Sequence, residues 1–270
     1  MNPQSKTSWR WTGSRFAACN GVPLTDRGFR YGMAVFESFP VFRGRPLFLD
    51  AHYERLRHAC AKSGLEAELS GIEALEALLR EVEFDAYARI YATAGDGGLF
   101  DGTAHGSMFV FVEPRNFVEM TSNDSYKLVR HPEPQTPIFG GMKTANYWPN
   151  LLAMKQARSG SCDEALLFNM SGGLYSASMA NMFVVQAGKI KTPATASGAR
   201  PGVIREWVMH RREVHEDYLT ENDLVLADEI FLTNSWIGVM PVASLDGTKL
   251  KSRETGAGLR VEYYREITER

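Results

Sequence analysis

The sequence predicts an α+β protein in two domains. Three observations carry that expectation. Strand-like and helix-like segments mix in both halves, with no strict βαβ alternation. Residues 114–124 are rich in Pro, Asn, Ser, Thr and Asp and have the composition of a linker. The chain of 270 residues is long enough for two ordinary domains, and 44% hydrophobic and 23% charged residues are values of a soluble globular protein. The domains are therefore placed at 1–115, a smaller N-terminal α/β domain, and 123–270, a larger C-terminal one.

The elements follow in order. Asn20-Gly21 is a turn signal after a short aromatic segment. Residues 26–32 are rich in glycine and charge and read as a loop. Residues 34–42 are β-rich and are broken by Arg43-Gly44-Arg45-Pro46, so 35–42 with 47–49 suggests a hairpin. Asp50 reads as the N-cap of a helix carrying Tyr53, Leu56 and Cys60, with Gly64 as its stop. Ser70 and Glu73 make a capping-box pattern, and Ile72, Leu75, Leu78, Leu79 and Val82 keep one helical face. Residues 89–93 and 108–112 read as paired strands around the glycine-rich turn 95–98.

In the second half, 126–129 begins as a strand. A helical pattern follows Trp148-Pro149-Asn150, with Leu151, Leu152, Met154 and Ala157. Residues 163–169 and 181–185 are strands. Pro201-Gly202 opens a helix through Trp207 and Val208. Residues 221–223 cap a short helix, 229–233 is a buried-type strand, and 239–245 returns as a strand after the polar turn 234–238. Residues 255–268 look helical, with Leu259, Val261, Tyr264 and Ile267 on the pattern.

A net charge of -2 argues against general binding to nucleic acid or a membrane surface. Cys19, Cys60 and Cys162 are widely spaced and odd in number, which reads as reduced thiols in a cytoplasmic protein. Residues 1–15 hold no apolar signal core, and no apolar run approaches the roughly 20 residues that cross a bilayer. There is no G-x-G-x-x-G after a strand, no Walker motif, no H-E-x-x-H, no C-x-x-C and no G-x-S-x-G.

One lysine stands out. Lys143 follows Gly140-Gly141 and precedes a helix start. In mostly apolar surroundings its pKa would fall, and the neutral amine could attack a carbonyl. On local sequence alone, a solvated surface lysine is the commoner outcome. The helix start at 202–205 offers backbone N–H groups to an anion, although most helix starts bind none.

Taken together, six stretches resemble the class IV aminotransferase group of pyridoxal-phosphate enzymes, over about residues 20–265. They are 26–37; His52-Tyr53-Glu54-Arg55-Leu56, similar to the family's H-x-x-R-L; 143–147; 163–167 with 181–183; Gly202-Val203-Ile204-Arg205, similar to G-I-T-R; and 233–242. No single stretch is specific, but they occur in the family's order. The resemblance implies a two-domain fold type IV architecture, a homodimer and pyridoxal 5'-phosphate as cofactor. It implies that Lys143 carries the cofactor, that Arg55 and the backbone turns at Val203, Ile204, Asn234 and Ser235 hold its phosphate, and that Tyr147 lies near it. For Tyr147 a packed aromatic is the equal alternative.

One position departs from the family. The family has a Glu five residues before the Asn of its A-N-x-F strand, where it pairs with the pyridine nitrogen. Here that position is Ser176. A neutral hydroxyl does not stabilise a pyridinium as a carboxylate does. The 234–242 loop looks closer to the aminodeoxychorismate lyases than to the transaminases. The first expectation is therefore a lyase that releases pyruvate from an aminodeoxychorismate-like substrate. The alternatives are a branched-chain or related amino-acid aminotransferase, and a non-catalytic descendant.

Overall fold

The computed structural model describes residues 8–102, 106–116, 124–137 and 139–269. Contacts divide the chain into two units, Met1–Glu119 with Met142–Asn146, and Met120–Gly141 with Tyr147–Arg270. Residues 117–123, most of the expected linker, lie outside the described residues. Lys143, assigned by the sequence reading to the C-terminal domain, groups with the N-terminal unit.

The first unit is built on an antiparallel sheet. Its strands are β1 (Ser8–Trp11), β2 (Phe16–Ala18), β3 (Ala34–Phe42), β4 (Arg45–Pro46), β5 (Ala86–Thr93) and β6 (Ser107–Pro114), in the order β2-β1-β6-β5-β3-β4. Eight of the nine residues of β3 are buried, which explains a strand without polar alternation. Among the described residues the unit also holds the helices α1 (Arg27–Tyr31), α2 (Leu49–Ser63) and α3 (Ile72–Arg80). The core joins Val35, Phe39 and Val41 of β3 to Tyr53, Leu56 and Cys60 of α2 and Leu75 and Leu79 of α3.

Four local expectations are corrected here. The 26–32 loop contains α1, because the Asp26 carboxylate accepts from Gly28 N at 2.7 Å and Gly32 ends the turn at φ 69. Residues 47–49 are not a strand, since Leu49 already begins α2. Asp50 is therefore not the N-cap but sits in the first turn, where its charge suits the helix dipole. The capping box does not form. The cap of α3 is Gly71, so Glu73 stands one position too early to reach back, and Ser70 Oγ donates to Glu68 instead.

The second unit holds a nine-stranded mixed sheet. Its strands are β7 (Tyr126–Arg130), β8 (Glu164–Phe168), β9 (Leu174–Ala177), β10 (Asn181–Gln186), β11 (Lys189–Pro193), β12 (Val214–Asp217), β13 (Glu229–Asn234), β14 (Gly238–Leu245) and β15 (Thr248–Lys249). The order is β12-β11-β10-β13-β14-β7-β8-β9, with β15 on β14. The pairs β11–β12, β14–β7 and β7–β8 are parallel. Helices α4 (Trp148–Ser159), α5 (Val203–Met209), α6 (Glu221–Val225) and α7 (Glu254–Glu269) complete it. A capping box of Thr220 and Asp223 starts α6, one residue before the expected cap. Helix α7 buries Leu259, Tyr263 and Ile267, spaced four apart. The core runs through Leu128, Leu166, Met182, Val184, Ile230, Leu232 and Met240.

Candidate active site

The candidate residues fall in both units, and each set has its own geometry. In the first unit, residues 142–146 run beside β3. Phe36 N donates to Lys143 O at 2.8 Å, and Ala145 N donates to Ala34 O at 2.9 Å. Thr144 forms a bridge with Val35. The lysine is thus pinned by its main chain to a buried strand. Its Nζ lies 4.2 Å from the centre of the Phe36 ring, which is itself stacked on Tyr91. The lysine is half-buried.

Beside it sits a charged cluster. His52 and Arg55 are three residues apart on α2 and share one face. Both reach Glu37 of β3. His52 Nδ1 lies 2.8 Å from Glu37 Oε2, while Arg55 donates through Nε to Oε1 and through Nη2 to Oε2, both at 2.7 Å. Glu37 and His52 are buried, and the Arg55 side chain keeps 17% of its exposure. Burial alone would raise the Glu37 pKa. The Arg55 charge and the hydrogen bonds from His52 and Arg55 outweigh it and hold the carboxyl well below the usual range. Burial lowers His52, and the positive charges of Arg55 and Lys143 lower it further against the pull of Glu37. The paired carboxylate fixes the plane of the Arg55 guanidinium. Sequence reasoning missed this role of Glu37, although an acidic residue inside a buried apolar strand was the available signal.

In the second unit one turn ties the candidates together. Ser176 lies on β9, and its Oγ contacts two main-chain carbonyls, Ala177 O at 2.6 Å and Ala180 O at 3.1 Å. Met179 O accepts from Asn234 Nδ2 at 3.1 Å. Asn181 Nδ2 donates to Arg200 O at 2.8 Å, just before α5. Buried Glu164 holds the same turn, because its Oε2 accepts from Ser178 Oγ and from Met179 N. Burial raises the Glu164 pKa to about 7, against those two hydrogen bonds. Asn234 Oδ1 accepts from Trp236 N and Ile237 N, both at 2.8 Å. Its side chain therefore shapes the 234–237 loop from within. Tyr147 caps α4, and its hydroxyl accepts from Arg200 Nη1 at 3.4 Å.

These residues fit a phosphate-bearing aldehyde. The α5 N-terminus, with Val203 and Ile204 as its first residues, has no side-chain cap. A Cβ on Gly202 would lie 2.0 Å from Asn181 Oδ1, so only glycine permits this close approach. The buried Thr233 Oγ1, next to Asn234, has no hydrogen-bond partner. In the first unit, Lys143 carries an amine and Arg55 a planar cation. Among the described residues, no carboxylate hydrogen-bonds Ser176.

The sequence and fold are similar to those of known proteins. The family model described as amino-transferase class IV matches residues 34–245. A Methanocaldococcus jannaschii protein with a provisional branched-chain-amino-acid aminotransferase name is 27% identical over 248 residues, covering 87% of this chain and 86% of its own. The aminodeoxychorismate lyase of Bacillus subtilis is 25% identical over 260 residues, covering 90% and 88%. The branched-chain amino acid aminotransferase of Thermobaculum terrenum, solved in its PLP-bound holo form, superposes with a TM-score of 0.82 at 23% identity, covering 97% of this chain and 93% of its own. The shared architecture is that of the fold type IV transaminases.

Proposed function

Because the chain belongs to the class IV amino-transferase family, we propose that it is a lyase that releases pyruvate from an aminodeoxychorismate-like substrate and leaves an aromatic amine. The protein is an enzyme of that family, and its cofactor is pyridoxal 5'-phosphate. In this reading Lys143 holds the cofactor's aldehyde carbon. Arg55, the backbone N–H groups of Val203 and Ile204 and the loop of Asn234 and Ser235 hold its phosphate. Tyr147 borders it, and Ser176 stands at its ring nitrogen. When bound, the cofactor draws electrons from the carbon that carries the substrate's amine.

The chain's own groups then have distinct tasks. Glu37 takes the Nε–Nη2 edge of Arg55 and so fixes the plane of the guanidinium, whose other N–H groups would meet the phosphate. Lys143 Nζ, which would hold the cofactor's aldehyde carbon, is also the group that would accept a proton from the substrate carbon. The C–O bond to the three-carbon side chain would then break, that chain leaving with the bonding pair as enolpyruvate and taking a proton at its methylene carbon to become pyruvate. The ring left behind is aromatic, and its aromaticity supplies driving force that a transamination lacks.

The observation that carries this choice is Ser176. Its neutral hydroxyl is turned to the carbonyls of Ala177 and Ala180. It brings no negative charge to a ring nitrogen, so chemistry that leans least on that nitrogen is favoured. The test is pyruvate release by the purified, cofactor-loaded protein from 4-amino-4-deoxychorismate, followed by lactate dehydrogenase coupling. Stoichiometric pyruvate and aromatic amine are expected. Absence of pyruvate, with amine transfer to a 2-oxo acid, overturns the lyase reading in favour of an aminotransferase.

A further inference from the structure

We propose that Arg200 is a specificity-determining residue that binds a carboxylate of the substrate. The inference rests on the reading of this chain as an enzyme of small amino compounds, and it adds a residue to which the sequence pattern assigns no role.

Arg200 lies between the short 3-10 segment Thr195–Ser197 and α5. Its backbone is held tightly. Asn181 Nδ2 donates to its carbonyl at 2.8 Å. A Cβ on Gly198 would lie 2.3 Å from Pro137 Cγ, and one on Gly141 would lie 2.6 Å from Ala199 O. Both glycines have positive φ, 100 and 80, so this close approach depends on them. The turn presents the arginine from a fixed base.

The guanidinium is poorly compensated. Nη1 donates to Tyr147 Oη at 3.4 Å, a long bond, and the group lies 5.8 Å from the Tyr147 ring centre. Its Nε is enclosed and has no acceptor. Among the described residues no Asp or Glu pairs with it. By contrast, Arg55, Arg205, Arg211 and Arg212 each meet a carboxylate. An ionisable neighbour whose titration it moves is the Tyr175 phenol. Burial pushes that phenol up to about 12 against the Arg200 charge, so it stays neutral and provides no counter-ion. Tyr175 Oη in turn faces Gln135 Oε1 at 3.5 Å.

A guanidinium with one donor shielded and no anion close by is an unfinished ion pair. Its planar fork matches a carboxylate better than any neutral group. Arg200 is half-buried, so one edge remains open to a ligand. The structure thus assigns the missing partner to the ligand, and its chemistry to a carboxylate on a small amine or on its ring.

The experiment uses the cofactor-loaded protein and benzoate as probe, with benzamide as its neutral match. Calorimetric titration compares wild type with Arg200→Leu, Arg200→Gln and Arg200→Lys, and the visible cofactor band is recorded for each. Wild type is expected to bind benzoate and not benzamide. In the Leu and Gln variants benzoate affinity falls about ten- to hundredfold, the scale of one charged hydrogen-bonded contact. Lysine recovers part of it, and the cofactor band stays as in wild type. For the natural substrate KM rises in the Leu variant while kcat is held. Equal benzoate affinity in wild type and the folded variants overturns the proposal, and so does loss of the cofactor band in all three. If wild type takes up no cofactor, the enzyme reading fails instead, and the benzoate titration still decides the role of Arg200.

Discussion

Two buried carboxyls respond to pH with opposite sign. Glu37 has a folded pKa held below its unfolded value, so its contribution is present above about pH 4.5 and fades as pH falls. Glu164 has a folded pKa raised to about 7. The folded state therefore binds its proton more tightly, and stability declines as pH rises from about 4.5 to 7. A shift of that size corresponds to about 3 kcal/mol above pH 7. Glu164→Gln keeps an acceptor for Ser178 and Met179 without the charge. Urea unfolding at pH 8 is expected to show the variant more stable by that order, with the difference vanishing near pH 4. No difference at pH 8 would contradict the raised pKa. Arg55→Lys keeps a charge but loses the fork that meets both Glu37 oxygens. Cofactor affinity, read from the visible band, is expected to weaken about tenfold or more. As candidates, Lys143 and Arg55 were legible in the sequence because each sits in a short local pattern. Their support was not, since Glu37 meets His52 across 15 positions and Arg55 across 18. Arg200 had no local signal at all.

At the scale of elements, the long periodic segments were read well and the short or polar ones were not. The buried runs that became β8, β10 and β13 carry four or five consecutive buried residues, which is a strong pattern. Strand β9 has only four residues, and β12 reads Val-His-Glu-Asp on an exposed sheet edge, where pairing rather than hydrophobicity makes the strand. The start of α5 shows how an element serves the site. Gly202 is the residue at which the chain passes against Asn181. Gly202→Ala is expected to displace that turn at a cost of about 1–3 kcal/mol. The melting temperature falls, and cofactor affinity falls with it. An alanine variant with wild-type melting and cofactor uptake would remove Gly202 from the phosphate turn.

At the scale of the whole molecule, the composition of 114–124 suggested a boundary, and contacts divide the chain into two units. The return of 142–146 to the first unit had no signal, because a five-residue segment paired with β3 carries no periodic signature. The first unit also exposes large apolar side chains, with Leu24 at 76%, Phe29 at 65% and Phe100 at 96%. We propose that they lie in the homodimer interface that the family resemblance implies. Light scattering on the purified protein is expected to give twice the monomer mass, and Phe100→Asp is expected to shift it toward the monomer. A wild-type monomer at micromolar concentration would refute it. The path of the chain has a consequence for synthesis as well. A ribosome that has released residues 1–119 has not yet supplied the strand-like piece that closes against Ala34 and Phe36. The first unit can be finished only after residue 146 emerges. Lys143 therefore arrives with the last piece of that unit.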